Sequence, residues 1–243
     1  KNITVNNQFN IGYICSRLQC ESGHGNKTAI RFVSPKMAIR DYSYQDIETD
    51  SNKFGNLLVN LGLKKGDILF SFLPKSPEMI AAFIGCLKAE LIAGTLFTNF
   101  GEDALLDRLK DSGAKAIILK KNSLRKIQPI RSQLPDLKFI MVVDGDDDLS
   151  TGVYSLKRLM DQAEPDFSIP VTSPETPSLL HYTSGSTGKP KGVLHVHRSI
   201  VLQYATGRDV LNLNPDTRYW CTADPGWVTG TSYGILAPLS HEI

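Results

Sequence analysis

The chain has 243 residues, is 41% hydrophobic and 21% charged, and carries a formal net charge of +2 at neutral pH. That size supports a sizeable core in one or two domains, and the near-balanced charge gives no reason to expect nucleic acid or an anionic membrane as partner. No apolar run approaches the roughly 20 residues of a membrane span, and the start, Lys1-Asn2-Ile3-Thr4, has no secretory pattern. The four cysteines, Cys15, Cys20, Cys86 and Cys221, show neither a CxxC pair nor zinc spacing. Free thiols in a reducing cytoplasm are therefore expected, with Cys86 packed in the core.

In chain order, residues 9–20 have weak helical character. Thr28–Val33 alternates as a strand does. Ser43-Tyr44-Gln45-Asp46 has the form of a capping box, and the apolar residues that follow keep helical spacing until Gly62. Ile68–Leu73 reads as a strand, and Ser76-Pro77-Glu78 starts a helix whose continuation to Ala89 is apolar nearly all round. Ile92–Phe97 is a short strand, Glu102–Asp111 an amphipathic helix stopped at Gly113, and Ala116–Leu119 a strand. Residues 122–134 form a basic helix or two turns around Pro129, and Phe139–Val143 is a further strand. The acids from Asp144 to Asp148 lack the spacing of a calcium loop and read as solvated. Leu156–Ala163 is a short helix, and four prolines keep residues 164–178 extended.

Strands alternating with helices, several of them continuously apolar, predict an α/β fold with a layered, mainly parallel sheet flanked by helices. In such sheets ligands sit beyond the carboxyl ends of the strands. The most distinctive stretch leaves a strand there: Tyr182-Thr183-Ser184-Gly185-Ser186-Thr187-Gly188-Lys189-Pro190-Lys191-Gly192. Ten of its eleven residues are glycine, hydroxyl residues, lysine or proline. Glycines let a backbone approach closely, amides and hydroxyls donate, and lysines neutralise, so the composition suits a polyphosphate. A turn-rich surface loop is the plain alternative. The spacing is not that of a Walker A loop, because only two residues separate Gly185 from Gly188 and Pro190 follows Lys189.

After the loop, His197–Leu211 reads as a helix, Thr217–Thr222 as a strand, Ala223–Trp227 as a turn and Val228–Leu239 as a helix. His181, His195 and His197 are expected to be structural rather than proton-transferring. Asp224 is expected to cap the helix start.

Three blocks together resemble one family. Tyr182–Gly192 resembles the phosphate loop of the adenylate-forming enzymes, among them acyl-CoA synthetases, luciferases and the adenylation domains of peptide synthetases. Tyr219-Trp220-Cys221-Thr222-Ala223-Asp224-Pro225-Gly226-Trp227-Val228-Thr229-Gly230 resembles the acetyl-CoA synthetase branch. Phe72–Glu78 and Gly94–Phe97 agree with it. The resemblance implies a two-step reaction: a carboxylate attacks the α-phosphate of ATP, releasing pyrophosphate, and the CoA thiol then displaces AMP to give a thioester. ATP, Mg²⁺, CoA and acetate or another short acyl carboxylate are the implied small-molecule partners, and the cytoplasm is the implied location.

Residue by residue, the resemblance makes Thr183, Ser184, Gly185, Ser186, Thr187, Gly188, Lys189 and Lys191 contacts of the ATP phosphates. It makes Thr229 a CoA contact and places Arg125 near a CoA-phosphate arginine, although the local match there is poor. Trp227 becomes a wall of the acyl or CoA pocket, with core packing as its alternative. Family members also carry an adenine-binding turn, a Tyr-Gly-x-Thr-Glu segment, a ribose-binding Asp and a small domain with a catalytic Lys. None of these is found here. The expectation is therefore an incomplete N-terminal large domain over residues 1–243, with a subdomain break near 164–178 and no C-terminal small domain, inactive in adenylation on its own. Another adenylate-forming ligase (a medium-chain acyl-CoA ligase or a peptide-synthetase adenylation domain) and a non-catalytic nucleotide-binding half-fold are the alternatives.

Overall fold

The computed structural model describes residue 4, residues 7–183 and residues 188–242. Two wide π turns, Tyr13–Arg17 and Cys20–His24, precede an antiparallel ribbon of β1 (Thr28–Val33) and β2 (Ile39–Ser43). Helix α1 (Tyr44–Asn60) begins where the sequence places it. The Asp46 N–H donates to the Ser43 hydroxyl at 3.1 Å and the Ser43 N–H to the Asp46 carboxylate at 2.7 Å, which satisfies donors the helix itself leaves open.

Strand β3 (Ile68–Phe72) leads to α2 (Pro77–Lys88), which is capped by the Ser76 hydroxyl accepting from the Met79 N–H at 3.3 Å. Then come β4 (Ile92–Thr95), α3 (Glu102–Ser112), β5 (Ala116–Leu119) and the four-residue α4 (Leu124–Ile127), flanked by tight turns around Pro129. The chain continues through β6 (Phe139–Val142), β7 (Val153–Ser155), α5 (Leu156–Asp161), β8 (Pro177–Thr183), β9 (Lys191–Val196), α6 (Ser199–Asp209), α7 (Val228–Thr231) and α8 (Ala237–Ser240).

The main sheet has the order β7-β6-β5-β3-β4-β8-β9. Every neighbouring pair in it is parallel except β8–β9, which is antiparallel. Side chains alternate between its two faces. Leu69, Ile118, Met141 and Leu179 meet Met79, Ala82 and Phe83 of α2, together with α1 and α8. Phe70, Ile117, Ile140 and Leu180 meet Leu105 and Leu109 of α3 on the other face. Both faces are covered, which is why these strands read as unbroken apolar runs.

The same partition locates the crevice. The chain leaves β3 towards the face covered by α2 and leaves β4 towards the face covered by α3. The connections diverge at the carboxyl ends of β3 and β4, a topological switch point where open sheets of this kind bind ligands.

One expected element is not formed. Thr217–Thr222 is not a strand. Its β-branched and aromatic residues favour extension, but a strand also needs a neighbour offering its backbone groups. Here the Thr217 N–H turns back to the Asn214 carbonyl at 2.9 Å, and the Cys221 carbonyl is taken by the Lys75 ammonium. Trp220, 85% exposed, points away from any core. Among the described residues, no helix is long and apolar enough to cross a membrane.

Candidate functional site

Strand β8 carries the loop to the carboxyl edge, one strand beyond the switch point. The register pairs Tyr182 with Gly192 and Thr183 with Lys191, so β9 closes the loop as a hairpin. Ser184, Gly185, Ser186 and Thr187 lie outside the described residues. Thr183, Gly188, Lys189 and Lys191 are exposed around the mouth. Gly188 has φ +87°, a conformation that only glycine adopts without strain. Neither Lys189 nor Lys191 makes an ion pair among the described residues. Two exposed ammonium groups and a hydroxyl at a glycine turn are a donor set that suits an anion.

The stretch from Cys221 to Gly230 is pinned across the neighbouring strand ends. The Thr95 hydroxyl at the end of β4 donates to the Pro225 carbonyl at 2.5 Å. The Lys75 ammonium, in the loop after β3, donates to the Cys221 carbonyl. Trp227 stands edge-on to Phe97, with ring centroids 5.1 Å apart. The residue blocks Phe72–Glu78, Gly94–Phe97 and Tyr219–Gly230, far apart in sequence, therefore touch one another at the switch point.

Within that stretch two expectations change. Asp224 does not cap α7. Its carboxylate accepts from the Gly226 N–H at 2.7 Å and shapes the turn, while Trp227 holds the cap position without a side-chain bond. Trp227 is not packed in the core, because it is 63% exposed, with Phe97 against it. Gly230 allows the turn to close. A Cβ there would stand 2.0 Å from the Asp224 carbonyl oxygen, a distance no side chain tolerates. Thr229 is exposed on α7. Arg125 is exposed on α4.

Residues with no motif of their own complete the edge. The Lys126 ammonium donates to the carbonyls of Thr98 at 3.1 Å and Phe100 at 2.8 Å and lies 5.3 Å from the Phe72 ring centre. Phe100 stands 5.2 Å from Phe97. The Arg108 guanidinium, from α3, lies 4.3 Å from the Phe100 ring centre and 5.7 Å from that of Tyr182. Trp227, Phe97, Phe100, Arg108 and Tyr182 thus form a continuous series from the pinned turn to the base of the loop. Phe97, Tyr182 and Trp227 fall in the sequence blocks, and Trp227 is also among the expected site residues. Phe100 and Arg108 become visible once topology brings α3 beside β8.

His181 and His197 are buried. The Thr231 hydroxyl shares a hydrogen bond with His181 Nε2 at 2.9 Å and lies 3.1 Å from the Val228 carbonyl. Burial, with the His195 ring 5.6 Å away, pulls His181 down to about 4. His197 Nδ1 accepts from the Ile11 N–H at 3.0 Å, and burial pulls that ring down to about 3. The acids of the 144–148 loop serve as acceptors for neighbours: Asp144 for the Lys121 N–H at 2.6 Å, Asp148 for the Ser150 hydroxyl at 2.5 Å, and Asp147 for the Arg158 guanidinium. Among the described residues, no group of His, Cys, Asp and Glu is placed to hold a metal ion.

Comparison with known proteins fits this geometry. The family described as AMP-binding enzyme matches residues 18–243. The chain belongs to that family. Among curated AMP-binding relatives, the acetyl-coenzyme A synthetase of Bacillus subtilis is 42% identical over 232 residues, covering 95% of this chain and 40% of that protein. The acetyl-coenzyme A synthetase of Streptomyces avermitilis is 32% identical over 254 residues, covering 96% of this chain and 38% of its own length. The chain thus spans about 40% of the length of these relatives. In three dimensions it superposes on an acyl-CoA synthetase from Brucella canis with a TM-score of 0.87 at 25% identity, covering 96% of this chain and 42% of that one. It superposes on the anthranilate CoA ligase AuaEII, solved with anthranoyl-AMP, with a TM-score of 0.88 at 26% identity, covering 98% and 44%. The α/β architecture is therefore that of the adenylate-forming enzymes of this family.

Proposed function

We propose that the protein carrying this chain is an acetate–CoA ligase. Acetate and the α-phosphate of ATP join with release of pyrophosphate, and the CoA thiol then takes the acetyl group as AMP leaves. The observation that carries the reading is the meeting of the three family-like blocks at the switch point, beside a loop mouth whose lysines have no carboxylate partner among the described residues. The 42% identity to an acetyl-coenzyme A synthetase favours acetate over a longer acid.

In this reading, Thr183, Ser184, Gly185, Ser186, Thr187, Gly188, Lys189 and Lys191 hold the ATP phosphates. The first step brings two anions together, and ammonium groups with loop amides lower that repulsion and stabilise the charge that builds on phosphate. Thr229 and Arg125 are assigned to CoA, and Trp227, exposed and braced by Phe97, to a pocket wall. Mg²⁺ belongs to the reaction as a partner of the nucleotide, and the described residues do not themselves supply a donor set for it. The four cysteines are free, which fits a reducing cytoplasm.

The 243 residues are assigned as part of the large domain, with the bend between subdomains placed at 164–178. By themselves they are not expected to complete adenylation. The test is acetate-dependent exchange of pyrophosphate into ATP. The whole protein is expected to exchange with acetate and more weakly with longer acids, and the isolated chain not to exchange. A preference for medium-chain or amino acids overturns the acetate assignment, and exchange by the isolated chain overturns its inactivity.

A further inference from the structure

Among the described residues Arg108 makes no ion pair, and the Asp107 carboxylate acts on its charge only from further off. Arg108 projects from α3, and its Nη1 donates to the Ala104 carbonyl at 2.8 Å. Its Nε is buried with no hydrogen-bond partner. The nearest acids are otherwise disposed. Asp111 accepts from the Tyr182 hydroxyl at 2.7 Å, and Asp107 makes no ion pair with Arg108. The guanidinium rests instead on two rings, Phe100 from the loop after β4 and Tyr182 at the end of β8. Aromatic faces attract a cation without neutralising it, so the charge remains, and Nη2 makes no hydrogen bond among the described residues. Tyr182 immediately precedes Thr183, at the mouth of the loop between β8 and β9.

We infer that Arg108 is a further polyphosphate-binding residue, a guanidinium that the Phe100 and Tyr182 rings hold at the base of the loop to share the anion with Lys189 and Lys191. The inference rests on the phosphate role of that loop. Arginine suits the place because its planar fork keeps one edge on the rings while its N–H groups meet phosphate oxygens. A lysine there would keep the charge but lose both the stack and the fork.

The test is calorimetric titration of the 243-residue chain with sodium tripolyphosphate, in low salt and again in 0.3 M salt. Arg108→Lys and Arg108→Met are each expected to weaken binding roughly tenfold or more and to flatten its salt dependence. Arg208→Gln, which removes an exposed arginine on α6 paired with Asp209, is the control for a lost charge and is expected to bind as the unsubstituted chain does. Thermal unfolding of each variant separates loss of a contact from loss of the fold. If Arg108 variants bind normally while Lys189→Ala binds weakly, the inference fails and the loop reading stands. If Arg108→Met weakens binding while Arg108→Lys restores it in full, only charge is needed and the stacked fork is refuted. If the unsubstituted chain does not bind millimolar tripolyphosphate, the loop reading and the inference fail together.

Discussion

The two ends of the parallel strands treat positive charge in opposite ways. At the amino edge, where α2 ends, Lys88 is fully buried and its ammonium donates to Glu48 at 2.6 Å and Asn52 at 2.7 Å. Arg17 donates to the same carboxylate at 2.8 Å, and so does the Ser16 hydroxyl at 2.8 Å. Burial pulls Lys88 down to about 8 against the pull of Glu48. Burial pushes the Glu48 carboxyl up, but Lys88, Arg17 and Ser16 outweigh it and hold it below its ordinary value. At the carboxyl edge, Lys75, Lys126 and Arg108 meet carbonyls and rings and no carboxylate among the described residues. A cation matched by a carboxylate has its field cancelled and holds structure. A cation matched by neutral groups keeps its field for an anion that arrives from solution.

The amino edge should give the largest effect on stability. Among the described residues, Lys88→Met leaves the buried Glu48 carboxylate with Arg17 as its only ion-pair partner, and breaking a buried pair costs about 3–5 kcal/mol. Urea unfolding is expected to show a loss of that size with little change in slope. Tripolyphosphate binding by the molecules that remain folded should be unaltered. The double variant Lys88→Met, Glu48→Gln should recover part of the loss, since the orphaned charge is gone. If Lys88→Met is as stable as the parent, or weakens polyphosphate binding while folded, the contrast between the two edges breaks down.

Acid should act next, through the histidines around β8 and β9. Burial keeps His181 and His197 neutral, the first at about 4 and the second at about 3, against an ordinary 6.5. Below 6.5 the unfolded chain binds protons that the folded chain refuses, so stability falls as pH falls through this window and is regained above it. At about pH 5 each ring is expected to cost about 2 kcal/mol. His197→Asn keeps an acceptor for the Ile11 N–H and removes one titration, so the fall in melting temperature between pH 7.5 and 5 should become smaller, with His181, His195 and His241 supplying what remains. An unchanged fall would mean that the acid sensitivity lies elsewhere.

Most of the frame was legible in the chain because it is written in local chemistry. The Ser43/Asp46 box, the Ser76 cap with Pro77, and the apolar runs at Ile68, Ala116 and Phe139 each state their element within a few residues. The loop was legible for the same reason, since glycine, hydroxyl and lysine content is a local property. What failed or was missed depends on partners distant in sequence. Thr217–Thr222 has strand chemistry but no strand beside it. Trp227 looked as suited to the core as to a pocket, and its exposure follows from where Phe97 and Pro225 are held. Arg108 looked like any charged residue on an amphipathic helix, and its setting exists only once α3 lies against β8.

A smaller effect on stability is expected at the carboxyl edge itself. Lys126→Met keeps an apolar stem but removes two charged hydrogen bonds to the Thr98 and Phe100 carbonyls and a contact with the Phe72 ring. Exposed in part to water, these should be worth about 1–2 kcal/mol together. Phe100 supports Arg108, so the same variant should also weaken tripolyphosphate binding, although less than substitution of Arg108 does. A stability loss with unchanged binding would show that the loop after β4 does not set the position of Arg108.

The smallest effect on stability, and the clearest separation of the two edges, is expected for Lys189→Ala. Lys189 is exposed, carries no ion pair among the described residues, and lies next to a glycine that already has the turn conformation. Removing it should change unfolding free energy by no more than about 0.5 kcal/mol, while tripolyphosphate affinity falls roughly tenfold. Lys88→Met has the reverse profile, with a large loss of stability and none of affinity. The two variants combined should show both losses, each close to its single value, because the sites share no partner and lie at opposite ends of the strands. Strong coupling between them would mean that the buried network at the amino edge also sets the geometry of the loop, and that the division between structural and ligand-binding cations is not a division of sites.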